Sequence, residues 1–137
     1  MNIGADIGSS RRLAHTVITP EMLQVANLPG IEHRTLADAG HGLRHLSVWQ
    51  QTLAPGAATP PHRHDTEEVV ICHSGRGELH MDGKVHRFGP HAVVLIPPDV
   101  PHQIFSVGSQ PMECTAIFAT GEVEVYGSDD ERMVLPW

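Results

Sequence analysis

The chain has 137 residues, enough for one domain with a modest hydrophobic core, and its 9 basic and 16 acidic residues give a formal net charge of −7. It lacks basic runs and basic stretches interleaved with aromatic residues, so neither nucleic acid nor an anionic membrane surface is expected as a partner. No apolar run approaches the length of a membrane span and no signal peptide is predicted, which makes a cytoplasmic protein the expectation.

Residues 1–42 predict an N-terminal extension that contains a strand or a short helix. Thr19 and Pro20 are typical of a helix start, because proline is tolerated at the first helical position. Pro29 and Gly30 would break the short helix that begins there, and residues 36–42 are typical of a polar loop.

From residue 43 the pattern changes to short apolar runs separated by Gly and Pro, which is typical of strands. Asp82 and Gly83 predict a tight hairpin within this region. At least six strands with short connections predict an all-β fold, either a closed barrel or a jelly-roll sandwich. We expect the core of this fold at residues 43–120, and a tail at 121–137 that packs on the barrel or on a dimer partner, with a disordered tail as the alternative. The predicted strands lie at 43–53, 68–72, 78–81, 84–88, 92–96, 102–107 and 113–118.

The two cysteines, Cys72 and Cys114, lie within apolar strand-like runs and match no zinc-type spacing. Buried thiols are therefore favoured over a disulfide. Because an apolar setting raises the pKa of a thiol, Cys72 is expected to be inert.

His62 and His64 are separated by a single residue, and Glu68 and His102 follow. Because side chains alternate along a strand, His62 and His64 point the same way. Two imidazoles and a carboxylate on one surface are typical of a transition-metal site. A polar loop is the alternative for the His pair, and a turn cap is the alternative for His102.

Glu68 can join the same ion only if the chain bends after His64. A straight strand rises about 3.3 Å per residue, so the six steps from His62 to Glu68 would span roughly 20 Å. Metal–ligand bonds of about 2.0–2.2 Å exclude that arrangement for one ion. We therefore expect a bend at residues 65–67 and a new strand from Glu68. Glu67 competes for the same role, but its parity points it away.

The chain resembles the cupin superfamily over residues 43–119. Five residues fit the first cupin motif at the family's spacing: Gly56, His62, His64, Glu68 and Gly75. In the second motif Pro97 and His102 match. Three positions of that motif depart, where the family has Gly, Gly and Asn: His91, Asp99 and Ser106. Asp tolerates a left-handed turn position, so the departure at Asp99 is mild.

The resemblance implies a double-stranded β-helix, the jelly-roll cupin barrel, with His62, His64, Glu68 and His102 as ligands of one divalent transition metal per chain. Iron, manganese, nickel, copper, cobalt and zinc all stay open, because His and Glu suit several of these ions. Many cupins are homodimers, so a homodimer is expected. Family membership identifies the site better than the reaction.

Strand parity carries Cys72 and Ile104 towards the site, and the strand that crosses near the site in cupins would bring Trp49 and Gln51 into the pocket. Four protein ligands leave up to two positions of an octahedral metal open. We therefore predict a metal-dependent oxygenase that acts on a small organic molecule. The resemblance to some cupins implies that Glu68 serves as its base. The alternatives are a non-redox lyase, isomerase or decarboxylase, and a non-catalytic protein that binds or senses a small molecule.

Overall fold

Two antiparallel sheets make up the computed structural model, which describes residues 13–137. Six strands form the first sheet, in this spatial order: β1 (Val25–Leu28), β2 (Ile31–Ala37), β3 (Ser47–Leu53), β10 (Met112–Phe118), β5 (Glu68–Ser74) and β8 (Val93–Ile96). Five strands form the second, in this order: β11 (Tyr126–Gly127), β4 (His62–Arg63), β9 (His102–Val107), β6 (Arg76–Met81) and β7 (Lys84–Phe88). The predicted all-β jelly-roll class is confirmed.

Helical structure in the described part of the chain is limited to two 3₁₀ turns, Pro20–Met22 and Ala39–His41. The first begins where a helix start was predicted, with Thr19 before it and proline at its first position. No helix within residues 13–137 has the length and hydropathy needed to cross a membrane.

The region predicted as an extension contributes β1 and β2 to the six-stranded sheet. Strand β2 pairs with β3 from Ile31 opposite Leu53 to Ala37 opposite Val48. The loop predicted for residues 36–42 was therefore placed too early, because Leu36 and Ala37 belong to β2. Residues 1–12 of the predicted extension, where the presence of a signal peptide was judged, lie outside the described residues.

Strand β3 begins at Ser47, four residues later than predicted. The backbone of the preceding residues makes other bonds: Leu43 donates to the Asp38 carbonyl at 3.2 Å, and the Arg44 carbonyl accepts from Gly121 at 3.0 Å. These contacts hold the segment before β3 as a loop against the C-terminal tail.

The chain turns between β4 and β5, as the reach of the His and Glu side chains required. Strand β4 belongs to the five-stranded sheet, and Glu68 opens β5 in the six-stranded sheet. The predicted hairpin is also present, with positive φ angles of 55° at Asp82 and 71° at Gly83 joining β6 to β7.

Inward-facing side chains of both sheets share one hydrophobic cluster, which includes Leu53, Phe118 and Leu79. Burial alternates along β5 and along β9, so Glu68 and His102 face this interior. Cys72 and Cys114 lie opposite each other on β5 and β10 and are buried free thiols, as predicted.

Candidate metal centre

Three imidazoles meet at the inner side of the five-stranded sheet. His62 lies on β4, His64 directly follows that strand, and His102 opens β9 opposite His62. One ring nitrogen from each lies within 4.8 Å of the other two. This separation allows all three to bind one ion.

Each of these rings is oriented by a backbone carbonyl. Nδ1 of His62 lies 2.6 Å from the Pro60 carbonyl, and Nδ1 of His102 lies 2.9 Å from that of Val100. Nδ1 of His64 lies 2.8 Å from the carbonyl of Glu124. Because a carbonyl only accepts, each Nδ1 carries the proton and each Nε2 keeps a free lone pair.

Glu68 approaches the same point from the facing sheet. Its Oε1 lies 3.5 Å from Nε2 of His64 and 3.5 Å from Nε2 of His102. Oε1 of Glu68 and Nε2 of His102 are both buried without a hydrogen-bond partner. Lone pairs that face one another without a proton between them are costly to bury, whereas a divalent cation would satisfy them all. These residues therefore fit a metal of the kind the sequence predicted.

Burial keeps the rings in the form that binds metals. It lowers the pKa of His62 to about 4, and the nearby His102 adds to the effect. Burial also lowers the pKa of His64, although the Glu68 carboxylate opposes that shift. Both imidazoles are therefore neutral at pH 7.

A cavity of about 50 Å³ adjoins two of the imidazoles, those of His62 and His64, and Glu68. Its wall is mainly apolar and includes the aromatic rings of Trp49, Phe118 and Trp137. Gln51 and Thr59 add polar groups to the wall.

A comparison with known families identifies the chain. The profile of the cupin domain matches residues 49–118, more than half of the sequence. The chain belongs to the cupin family. It is 32% identical over 116 residues to an auxin-binding protein of Nicotiana tabacum, a match that covers 76% of this cupin and 62% of that protein. This cupin therefore spans about three fifths of the length of that relative.

Solved structures share the same fold. The polyketide cyclase RemF from Streptomyces resistomycificus aligns with a TM-score of 0.71 at 20% identity, over 85% of this cupin and 89% of that chain. Oxalate decarboxylase from Bacillus subtilis aligns with a TM-score of 0.68 at 18% identity, over 78% of this cupin and 31% of that chain. At these identities the likeness concerns the fold alone.

Three of the four predicted pocket residues line the cavity of this cupin: Trp49, Gln51 and Ile104. Cys72 does not belong to that lining as the structure describes it. It faces inward, but it lies four residues beyond Glu68, where its Sγ is 3.5 Å from the Ser74 carbonyl. Cys114, on the neighbouring strand, lines the cavity instead, and burial raises the pKa of its thiol to about 12.

The sequence analysis missed His33, which is fully buried beside the cavity. Its Nδ1 lies 3.0 Å from Nε2 of Gln51, and its Nε2 lies 2.8 Å from Oγ1 of Thr35. Burial lowers its pKa to about 4. The alternation of Ile31 and His33 along β2 would have placed it inside, had that strand been recognised.

The C-terminal tail of the cupin closes the cavity. Met133, Leu135 and Trp137 all line it, and the Trp137 ring stacks on His33 with centroids 3.6 Å apart. These three residues alternate along the tail, but Val134 between them is apolar as well, although it is exposed, so the sequence does not reveal the alternation. The tail packs on the barrel of its own chain.

Proposed function

We propose that this cupin binds a small carboxylic acid with an apolar body at a mononuclear metal centre formed by His62, His64, Glu68 and His102. The observation that carries the proposal is the buried group of unpaired acceptor atoms beside a mainly apolar cavity. A bound divalent ion would supply positive charge and coordination positions for the ligand's carboxylate.

The charges around the cavity favour this class of ligand. Within the lining that the structure describes there is no Lys or Arg, so the metal would be the counter-charge for an anion. The apolar wall would contact the rest of the ligand, and Gln51 and Thr59 could select for a polar substituent. A multiply charged sugar phosphate fits this lining poorly.

The cavity is too small to admit an aromatic acid unless side chains of its lining move. An apolar cavity of about 150 Å³ accommodates benzene, whereas this one has a volume of about 50 Å³. Binding of an aromatic acid therefore needs lining side chains to shift. Leu135 and Trp137 are the natural ones to move, because they belong to the tail and not to the strands of the barrel.

The relatives support a binding role. The tobacco protein is named for binding auxin, and its match covers most of this chain. Because this cupin spans only 62% of that relative, the shared ligand class is part of the proposal.

Calorimetry on the protein loaded with Zn²⁺ tests the proposal. We expect saturable binding of phenylacetate or indole-3-acetate, no binding of the neutral control phenylacetamide, and no binding to metal-free protein. A variant with both His62→Ala and His64→Ala should keep the fold but lose Zn²⁺ and the ligand. Equal binding of acid and amide, or equal binding with and without Zn²⁺, would overturn the proposal.

An oxygenase is the second candidate, and Glu68 is the observation that favours it. Its unpaired Oε1 faces the interior of the site, where a carboxylate could accept a proton from a bound substrate. Incubation of the iron-loaded protein with small carbonyl and phenolic compounds, with and without oxygen, tests this candidate. Turnover that requires oxygen would support it, and turnover of equal rate with zinc and without oxygen would favour a non-redox enzyme.

A further inference from the structure

The three imidazoles of the metal centre differ in how their rings are held. His62 and His102 each bond to a carbonyl two residues earlier in the chain. His64 instead bonds to Glu124, 60 residues away in the C-terminal tail. The orientation of His64 therefore depends on the position of the tail.

Arg63 holds the tail at that position. Its guanidinium carbon lies 4.4 Å from the centre of the Tyr126 ring, and its Nε donates to Oδ1 of Asp130 at 3.3 Å. Tyr126 also pairs with Arg63 through the backbone of β11 and β4. Glu124 is two residues before Tyr126, so these contacts fix the carbonyl that His64 uses.

The same guanidinium reaches the turn before His102. Its Nη1 donates to Oδ1 of Asp99 at 2.9 Å, and the Asp99 backbone N–H donates to the carbonyl of His64 at 2.7 Å. Asp99 has a positive φ of 64°, a conformation that needs support from its surroundings. Arg63 thus contacts the tail and this turn at once, although its side chain points away from the metal centre.

Each of these contacts is modest alone, because the carboxylates of Asp99 and Asp130 are 63% and 79% exposed. Their shared partner is only 23% exposed, and it combines two carboxylates with one aromatic face. A planar guanidinium suits this combination, whereas a lysine ammonium could not make all three contacts at once.

We propose that Arg63 is a positioning residue of the metal centre, which anchors the C-terminal tail so that the Glu124 carbonyl fixes the tautomer and orientation of His64. The inference rests on the proposed metal centre but not on the identity of its ligand. Outer groups that orient a metal-binding imidazole typically contribute about 10–100-fold to metal affinity.

Arg63→Met in the full chain tests the proposal, because it keeps much of the side-chain volume but removes all three contacts. We expect the Zn²⁺ dissociation constant, measured by competition with a chromogenic chelator, to rise about 10–100-fold. Long-range ¹H–¹⁵N spectra of the metal-free protein should show His64 leaving its pure Nδ1–H form. His62 and His102 should keep theirs, since their carbonyl partners are local.

Arg87→Met is the matched control. Arg87 also forms an ion pair, with Glu78, but its own side chain is 83% exposed. It should change neither the Zn²⁺ affinity nor the signals of His62, His64 and His102. Unchanged Zn²⁺ affinity and an unchanged His64 signal in Arg63→Met would overturn the proposal. So would an equal disturbance of all three imidazoles, because that result would assign Arg63 a general role in folding.

Two milder variants keep the proposal testable if Arg63→Met does not fold. Asp130→Asn and Tyr126→Leu each remove one contact of Arg63, and each should weaken Zn²⁺ binding and shift the His64 signal selectively. No change in either variant would contradict the proposal. Wild-type protein that takes up Zn²⁺ but binds no carboxylic acid would refute the proposed ligand and leave the role of Arg63 standing.

Discussion

Glu68 and His102 face each other with Oε1 of one 3.5 Å from Nε2 of the other, and neither atom has a hydrogen-bond partner. Two acceptors at this distance repel each other unless a proton or a cation lies between them. The pair is the most direct sign that the interior of the barrel is built for a positive charge.

Replacement of Glu68 by Gln should separate metal binding from folding. The amide can donate to the free Nε2 of an imidazole, so the metal-free variant should be as stable as the wild type or more stable by about 1 kcal/mol. Loss of a group that merely orients a metal ligand typically lowers metal affinity roughly 10–100-fold. The affinity of this variant for Zn²⁺ should fall by at least that factor, because Glu68 is a candidate ligand itself. Urea unfolding of metal-free protein and chelator competition measure the two effects.

Glu67→Gln is the matched control for that variant. Glu67 is exposed and next in sequence, so it should leave both the stability and the Zn²⁺ affinity unchanged. Equal Zn²⁺ affinities for the two variants would remove Glu68 from the metal centre.

His33 should make the metal-free protein sensitive to mild acid. Burial lowers the pKa of His33 to about 4 in the folded protein, from 6.5 for an exposed imidazole. Below pH 6.5 the imidazole is therefore protonated in the unfolded chain, whereas in the folded chain it stays neutral until about pH 4. Stability is therefore full above pH 6.5 and is lost as the pH falls towards 4, at a limiting slope of about 1.4 kcal/mol per pH unit for this one group.

Urea unfolding of metal-free protein between pH 7.5 and 5 tests this effect. The His33→Gln variant should show a shallower loss of stability than the wild type, whatever its absolute stability. His45→Gln, at an exposed position, should follow the wild-type slope. Parallel slopes for His33→Gln and wild type would show that His33 does not titrate as proposed.

Trp137→Ala should destabilise the protein and open the cavity. The variant loses the stacking contact with His33 and the edge contact with Trp49, whose ring centre is 5.4 Å away. Since Trp137 is only partly buried, we expect a loss of about 1–3 kcal/mol in the free energy of unfolding. Val134→Ala is the control, because Val134 is 92% exposed and its loss should fall within about 0.5 kcal/mol.

Gly75 and Gly83 provide a matched test of the turn that follows β5. Both have positive φ angles, 80° and 71°, so alanine at either position costs about 1–2 kcal/mol of backbone strain. Only at Gly75 would the new Cβ also meet backbone, at 2.7 Å from Cα of Met112. Gly75→Ala should therefore lower the melting temperature clearly more than Gly83→Ala. Equal melting temperatures would show that the backbone next to Gly75 has room for a Cβ atom.

Much of the fold was predictable because its signals are local. The Asp82-Gly83 hairpin follows from turn chemistry, and the strand beginning at Glu68 follows from its β-branched residues. The bend before Glu68 followed from a distance limit alone. A strand was expected somewhere in residues 1–42, but β2 was not located, because its polar residues, such as Glu32 and Arg34, hide the buried alternate positions. This strand depends on pairing with β3.

The four candidate ligands of the site were predictable because the two cupin motifs fix their spacing in the sequence. His62, His64, Glu68 and His102 converge, although their role as ligands stays a proposal. Strand parity wrongly predicted Cys72 as a pocket residue. Alternation shows which face of a strand a side chain lies on, but not how far along the strand the pocket extends. The contacts of His33 with Trp137, and of His64 with Glu124, join residues far apart in sequence and leave no local signal.

The four candidate ligands come from both layers of the sandwich. Glu68 belongs to the six-stranded sheet, His62 and His102 belong to the five-stranded one, and His64 directly follows β4. A single ion bound by all four would cross-link the two layers. Its binding free energy would then count as folding free energy. Metal content would therefore govern how slowly the amides of β5 and β9 exchange with solvent and how long the protein survives proteases, besides deciding what it binds.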